Sequence, residues 1–454
     1  MNAGTRKNIK LIQLLRVVIF LLSVSIVGPF GMAQSFNEVI AATFTPLGYA
    51  HSSWCDYDLD GDLDIAVMGQ TNLGARTCKV YRNNGDDTFT DMLVALPPLA
   101  FGALAWEDYD LDGDMDLAIC GIDASGIRQT AIYRNTSGSF ANSGISFPGI
   151  SSGSIQWHDY NYDGYADLLL TGIDGNNLPQ TKLFKNTTGS FSEVTSASLR
   201  ALGNSYALWT DLNGDGRKDL IVQGEDINNT KHCSFYKCLS SGTLVEQTVT
   251  GISGLTDGHI AISDIDSDGK TDMAISGFNA LGNRTLEVYR NTGNFLFSKV
   301  ATLTGLGNSA IAFGDSDNDG DPDLIATGES SSGNTTSLYV NNGDLTFSEQ
   351  SGFTGTFASS VTWADFDKDN DLDFYLSGIG AGSNYSKLSR NLSTTANTPP
   401  AVPTNLSEST FEDSVRLSWN AASDLNGGTL GYNVFIGTSK TSQNILSAHS
   451  NLAS

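Results

Sequence analysis

An acidic nonapeptide, Asp-x-Asp/Asn-x-Asp-Gly-x-x-Asp, recurs along the chain with first residues Asp56, Asp108, Asp159, Asp211, Asp264, Asp315 and Asp365. Successive copies begin 52, 51, 52, 53, 51 and 50 residues apart. A spacing this regular constrains the fold more than any composition does. One supersecondary unit must pack against copies of itself, because a single unit cannot bury its own apolar face.

Other residues keep register with the nonapeptide. Two residues before each first Asp stands Trp54, Trp106, Trp157, Trp209, Ile262, Phe313 or Trp363. Thirteen residues after it comes a Gly, from Gly69 to Gly378. An aromatic follows, such as Tyr81 or Tyr133, and most copies continue with a basic residue and Asn, as in Tyr81-Arg82-Asn83. Each unit reads as four short strands joined by turns. In the second copy these are 102–106, 117–120, 130–133 and a strand from 139, and no helical period competes. Four strands every fifty residues is the period of a propeller blade. The fold class expected is therefore all-β, a seven-bladed β-propeller. The Trp series sits on strands with alternating apolar partners, which points to packing between blades.

The seventh copy lacks a fourth-strand signal after Arg390-Asn391. The missing strand is expected at the other end, where Ser35-Phe36-Asn37-Glu38-Val39 matches Ser190-Phe191-Ser192-Glu193-Val194. Residues 34–44 would then complete the last blade and remove its exposed edge.

The nonapeptides carry the chemistry. Acids at positions 1, 3 and 5, a Gly turn at 6, a backbone carbonyl at 7 and an acid at 9 can wrap one hard cation in oxygen ligands, which selects Ca2+. The expected sites are Asp56, Asp58, Asp60, Asp62 and Asp64 in the first loop, and Asp108, Asp110, Asp112, Asp114 and Asp116 in the second. The third has Asp159, Asn161, Asp163, Tyr165 and Asp167, and the fourth Asp211, Asn213, Asp215, Arg217 and Asp219. The fifth has Asp264, Asp266, Asp268, Lys270 and Asp272, and the sixth Asp315, Asp317, Asp319, Asp321 and Asp323. The seventh has Asp365, Asp367, Asp369, Asp371 and Asp373, with Asn370 at the Gly position, the next most tolerant residue for a left-handed backbone. Tyr165, Arg217 and Lys270 would contribute only a carbonyl. Of the 50 acids in the chain, 30 are Asp in these loops, so the formal charge of −25 marks cation sites more than a solvated surface. It also argues against nucleic acid and anionic membrane as partners. Unlike an EF-hand, each loop closes with Asp at position 9 and runs into a β-like segment, making a strand–loop–strand site.

The repeat and its metal loop resemble the FG-GAP/VCBS class, similar to the propeller of integrin α subunits, and Phe101-Gly102 matches the motif's name. The resemblance spans roughly residues 35–395. It implies a seven-bladed propeller with up to seven Ca2+ in loops between adjacent strands of a blade. Integrin propellers carry such loops in only some blades, so seven is a departure toward the bacterial members.

The ends add two expectations. Residues 1–33 read as a signal peptide: a basic start, an apolar run from Val17 to Val27, and Gly31-Met32-Ala33 before Gln34. That places the mature protein outside the cell or on its surface. After a linker at 396–402, residues 403–454 resemble the first half of a fibronectin type III domain, with alternating strands at 415–419 and 430–437, a truncated β-sandwich. Cys55, Cys78, Cys120, Cys233 and Cys238 have no framework spacing and read as small buried apolar residues. No GxSxG, HExxH or Walker-type loop is present. His51 and His259, each five residues before a loop, read as polar residues at a strand start; a catalytic or metal-binding pair is the competing reading. The function expected is a non-catalytic, calcium-binding adhesion or ligand-binding scaffold for an extracellular protein or glycan. Two alternatives stay open. One is an extracellular lyase or glycosidase with catalytic residues in channel-facing loops; the short, similar loops argue against it. The other is a passive spacer.

Overall fold

The structure is a computed structural model and describes residues 34–393, 401–410, 415–420 and 422. The leader expected at 1–33 and the strand expected at 430–437 lie outside the described residues. Among the described residues there is no helix, and the architecture is all-β.

Among the described residues the strands group into seven antiparallel four-stranded units, and the fold is a β-propeller. In the first, the strands are Gly48–Cys55, Asp64–Gln70, Arg76–Asn83 and Phe89–Asp91, hydrogen-bonded in chain order. The second and third units share one bridge, Ile150 opposite Gln129, and the fifth and sixth share the long strand Leu296–Gly314. The first strands of neighbouring units touch in a closed cycle, the first with the seventh included. At that junction Ser52 Oγ lies 2.9 Å from Ser360 Oγ, and Trp54 Nε1 donates to Thr362 Oγ1 at 3.0 Å. The Trp series does the same elsewhere. Trp106 donates to the Ser53 carbonyl at 3.2 Å, Trp157 to Ala105 at 3.4 Å and Trp363 to Ala312 at 3.2 Å. Each of these four indoles thus contributes apolar area and one directed bond between units, whereas the buried Trp209 Nε1 makes no such bond.

The second strand of every unit begins with the last Asp of its nonapeptide and is buried along nearly its whole length, as in Asp64-Ile-Ala-Val-Met-Gly69. An unbroken apolar run suits a strand covered on both faces by neighbouring units. The first strand of the second unit starts later than the pattern suggests: Leu104–Glu107 replaces 102–106. The residues before it form a bulge, with Phe101 in the left-handed region at φ 57°. Similar register shifts occur between Gly48 and His51, Ser151 and Ser154, Gly203 and Tyr206, Gly307 and Ala310, and Phe357 and Ser360.

The last unit takes its outer strand from the other end of the chain. Phe36–Glu38 pairs antiparallel with 389–391, Phe36 opposite Asn391. Phe36 packs on Phe374, Phe353 and Trp363 at centroid distances of 5.0, 5.8 and 6.1 Å. Val39, Ala42, Phe44 and Leu47 then enter the core between the seventh and first units. All five cysteines are free thiols, and four are buried. Beyond the propeller, Thr404–Thr410 pairs with Val415–Asn420.

Candidate metal centres

Every nonapeptide joins the first strand of its unit to the second, and its backbone makes two left-handed turns. Position 6 carries one of them, at φ 90° for Gly61 and 70° for Asn370, so Asn serves where the other loops use Gly. The second turn is at position 4, where Leu59, Leu111, Tyr162, Ser267, Asn318 and Lys368 all have φ between 54° and 61°. Only Gly214 in the fourth loop hinted at it in the sequence.

The carboxylate at position 1 holds the turn by accepting the N–H of position 6. The distances are 3.0 Å from Gly61 to Asp56, 2.7 Å from Gly164 to Asp159 and 3.1 Å from Asn370 to Asp365. Position 5 accepts the N–H of position 7, as from Asp62 to Asp60 at 2.9 Å. These bonds fix the loop and leave other oxygens facing one another. The acids at positions 1, 3 and 9 come within 4.8 Å of each other as Asp56/Asp58/Asp64, Asp108/Asp110/Asp116, Asp264/Asp266/Asp272 and Asp315/Asp317/Asp323. The seventh loop adds position 5, giving Asp365/Asp367/Asp369/Asp373. In the third and fourth loops, Asn161 and Asn213 donate Nδ2 to the position-9 carboxylates Asp167 and Asp219 at 3.0 and 2.8 Å. Turned about its last bond, each carboxamide would present Oδ1 instead.

The side chains at position 7 point elsewhere. Asp62 pairs with Lys368 of the seventh loop at 2.6 Å, and Asp371 accepts from Asn318 of the sixth at 2.6 Å. Arg217 and Lys270 fold onto Asp215 and Asp268. Only the carbonyl of this position is left to face the loop.

The clusters fit a hard cation. Asp56 Oδ1, Asp110 Oδ1, Asp116 Oδ2, Asp266 Oδ1, Asp317 Oδ1 and Asp365 Oδ1 are buried and make no hydrogen bond. Buried carboxylate oxygens rarely go unpartnered, and converging ones repel. Burial pushes the position-9 carboxyls far up: Asp64, Asp167, Asp323 and Asp373 to about 8, and Asp116 to about 9. With no cation bound, these groups hold protons at neutral pH. Between about 4 and about 8 the folded chain keeps protons that the unfolded chain has released, so its stability falls as pH rises across that window. A chelator-treated sample should therefore melt higher at pH 5 than at pH 8, whereas an excess of Ca2+ should reverse the order, because the cation replaces the protons. Melting curves at the two pH values, with and without the cation, check this.

The position-9 Asp also joins units. One of its oxygens accepts the N–H of the Asn that follows the aromatic and basic residue. Asn83, Asn135, Asn186, Asn291, Asn341 and Asn391 make this bond at 2.6–2.8 Å, and Cys238 at 2.9 Å. The side chain of the same residue reaches back to the position-2 carbonyl of the preceding loop. Asn135 donates to Tyr57, Asn186 to Tyr109, Asn291 to Leu212, Asn341 to Ile265, Asn391 to Ser316 and Asn83 to Phe366, at 2.7–3.0 Å. Cys238 Sγ takes that place toward Tyr160 at 3.3 Å. Each loop is thereby tied to the one before it, and the first to the seventh. Sequence reading placed these Asn in register without finding their role, because the partner lies nearly 80 residues away or across the closure. Asn135→Ala should strand the buried Tyr57 carbonyl and cost roughly 1–3 kcal/mol. Cys238→Asn should be neutral or stabilising. Chemical denaturation of the two variants measures both.

Comparison with known proteins agrees with this repeat. The FG-GAP-like repeat family matches residues 56–119, 108–170, 159–222, 211–275, 264–326 and 317–376, each match running from one nonapeptide through the next. None of the curated proteins compared matches the chain. Among solved structures it is similar to the V. cholerae biofilm matrix protein Bap1, with 10% identity over 80% of this chain and 92% of that one and a TM-score of 0.46. It is also similar to the BP39L lectin of Burkholderia pseudomallei, with 10% identity over 76% of this chain and 98% of that one and a TM-score of 0.49. With six consecutive matches covering most of its length, the chain belongs to the FG-GAP-like repeat family.

Proposed function

We propose that this chain is exported by its N-terminal leader and works as a seven-bladed propeller, residues 34–395, rigidified by Ca2+ in its nonapeptide loops. In this reading it is a non-catalytic scaffold that binds an extracellular glycan or protein. The observation that carries it is the set of buried, unpartnered carboxylate oxygens converging in five loops. Such oxygens stabilise a fold only when a cation sits among them. Side chains at positions 1, 3, 5 and 9, with the carbonyl at 7, would hold it. Asn161 and Asn213 would stand in for Asp in the third and fourth loops.

The acids converge within repeated loops that fix the backbone, as where Asp56 and Asp159 hold the turn at position 6, which favours a scaffold over a hydrolase. His51 accepts the Leu104 N–H through Nδ1 at 3.3 Å, and the His259 ring lies against Tyr206 with centroids 3.7 Å apart. Burial holds both imidazoles low, at about 4 and about 3, so neither carries charge near neutrality. The Thr404–Thr410 hairpin would begin the fibronectin type III-like segment, residues 403–454.

Extracellular calcium loops bind with Kd near ~10⁻⁴–10⁻³ M. At tenfold over Kd each ion adds about 1.4 kcal/mol through linkage, so several together rival the whole stability of an ordinary domain. Elemental analysis of the purified chain should find several Ca2+, up to seven, and calorimetry should show a large drop in Tm with chelator. A glycan and protein array run with and without Ca2+ should show binding only with it. No bound metal together with an unchanged Tm would overturn the calcium reading; a blank array would overturn the scaffold reading alone.

A further inference from the structure

Each inner strand begins with a bulge whose central residue is left-handed. In five units that residue is Ser152, Asn204, Asp257, Asn308 or Ala358, all small or polar. In the first two it is Tyr49 and Phe101, at φ 49° and 57°. Large aromatic side chains are poor occupants of this conformation, and strain of this kind concentrates where ligands bind. The bulges form a rim, linked from unit to unit by backbone bonds. Ser152 N–H donates to the Phe101 carbonyl at 2.7 Å, and Asp257 N–H to Asn204 at 3.2 Å. The rim lies at the end of the strands opposite the nonapeptides.

The two aromatic rings stack, with centroids 4.1 Å apart and planes 28° from parallel. The Arg76 guanidinium lies 5.5 Å from the Phe101 centroid, which braces the pair. Tyr49 remains 37% exposed. It borders a cleft of about 290 Å3 between the hairpins of the first and seventh units, lined also by Gln70, Thr71, Asn72, Ser383 and Asn384. The walls are fixed. Asn384 donates its N–H to Asn72 Oδ1 at 2.7 Å and its Nδ2 to the Gln70 carbonyl at 2.6 Å, and Gln70 Nε2 donates to Gly74 at 3.0 Å. Gly48 allows the two units to close beneath, since a Cβ there would meet Ile379 Cγ1 at 2.4 Å. What remains unused is the Nδ2 of Asn72, the carboxamide oxygens of Gln70 and Asn384, and the hydroxyls of Thr71 and Ser383. No charged side chain lines the cleft.

We propose that this cleft binds a neutral pyranose unit of a glycan. The apolar C–H face of the sugar would lie on Tyr49, and its hydroxyls would meet the carboxamides and hydroxyls of the two hairpins. This deepens the scaffold reading and rests on it. An aromatic platform beside uncharged donors and acceptors matches a sugar, which is apolar on one face and rich in hydroxyls at its edge. A phosphate or carboxylate would find no counter-charge there.

The seven copies supply a substitution that separates binding from folding. Asn occupies the bulge at 204 and 308, so Tyr49→Asn keeps a residue that this backbone accepts. Saturation-transfer NMR on the calcium-loaded chain uses the methyl glycosides of glucose, galactose, mannose and N-acetylglucosamine as probes, with glucuronic acid as a charged control. At least one neutral glycoside should respond through its ring C–H protons, and glucuronic acid should not. Tyr49→Asn should weaken the responding sugar roughly tenfold, the weight of one aromatic contact, with Tm unchanged or raised. Thr71→Val, which keeps the shape, should weaken it less. Equal affinity in Tyr49→Asn would overturn the site while leaving glycan binding intact elsewhere on the scaffold. Silence of all four neutral probes with the wild-type chain would overturn the site as well. Neither result bears on calcium, which the metal analysis tests separately.

Discussion

The aspartate that ends each nonapeptide is the point on which the other features depend. It is buried, it begins the second strand of its unit, and in every loop but the second it accepts a backbone N–H from within its own loop, as from Leu212 to Asp219 at 3.1 Å. It also accepts the N–H of the third strand's Asn, whose side chain grips the preceding loop. One carboxylate therefore sets the exit of the metal loop, the register of the next strands and the link to the neighbouring unit. A buried carboxylate is costly unless something neutralises it. Burial raises all seven of these carboxyls, which favours a bound proton when no cation is present, and Ca2+ would take that role when bound.

The loops are not equivalent, and the difference comes from the basic residue before the linking Asn. Arg134 pairs with Asp110 and Asp112 at 2.8 and 2.7 Å, Lys185 with Asp163 at 2.9 Å, and Arg390 with Asp367 at 2.6 Å. Arg290 pairs with Asp266 and Asp268. These cations compensate carboxylates that would otherwise face an ion. The sixth unit has Val340 at this place and five Asp in its loop, so its loop concentrates the most uncompensated charge. Its half-buried Asp317 is lifted above the ordinary carboxylate value, with burial the main cause and Asp319 and Asp315 adding to it. If the loops take Ca2+ as proposed, this arrangement would grade their affinities, with the sixth loop filled early.

Much of this was legible because a repeat reports each feature several times. The strand pattern, the Trp contacts between units and the converging acids follow from periods and spacings alone. The similarity of Ser35–Val39 to Ser190–Val194 is visible in the sequence, and in the fold Phe36–Glu38 holds in the last sheet the place that Ser190–Glu193 holds in the third. What could not be read has a common cause. The bond from each Asn to a carbonyl of the preceding loop, the left-handed position 4 and the bulge that delays Leu104 all depend on how units meet. A pattern within one copy does not encode that meeting. The partners of the position-7 side chains are another case: that Asp62 meets Lys368 of the seventh loop depends on how those two units sit together.

The most direct test of calcium as the keystone is a crystal of the calcium-loaded chain measured at long wavelength, where Ca2+ scatters anomalously. The account predicts anomalous peaks inside the nonapeptides, each bounded by the carboxylates at positions 1, 3 and 5, strongest in the sixth loop and present in the third and fourth with Asn161 and Asn213 turned to present oxygen. A map without such peaks, with the clustered acids paired only to the neighbouring Arg and Lys, would contradict it.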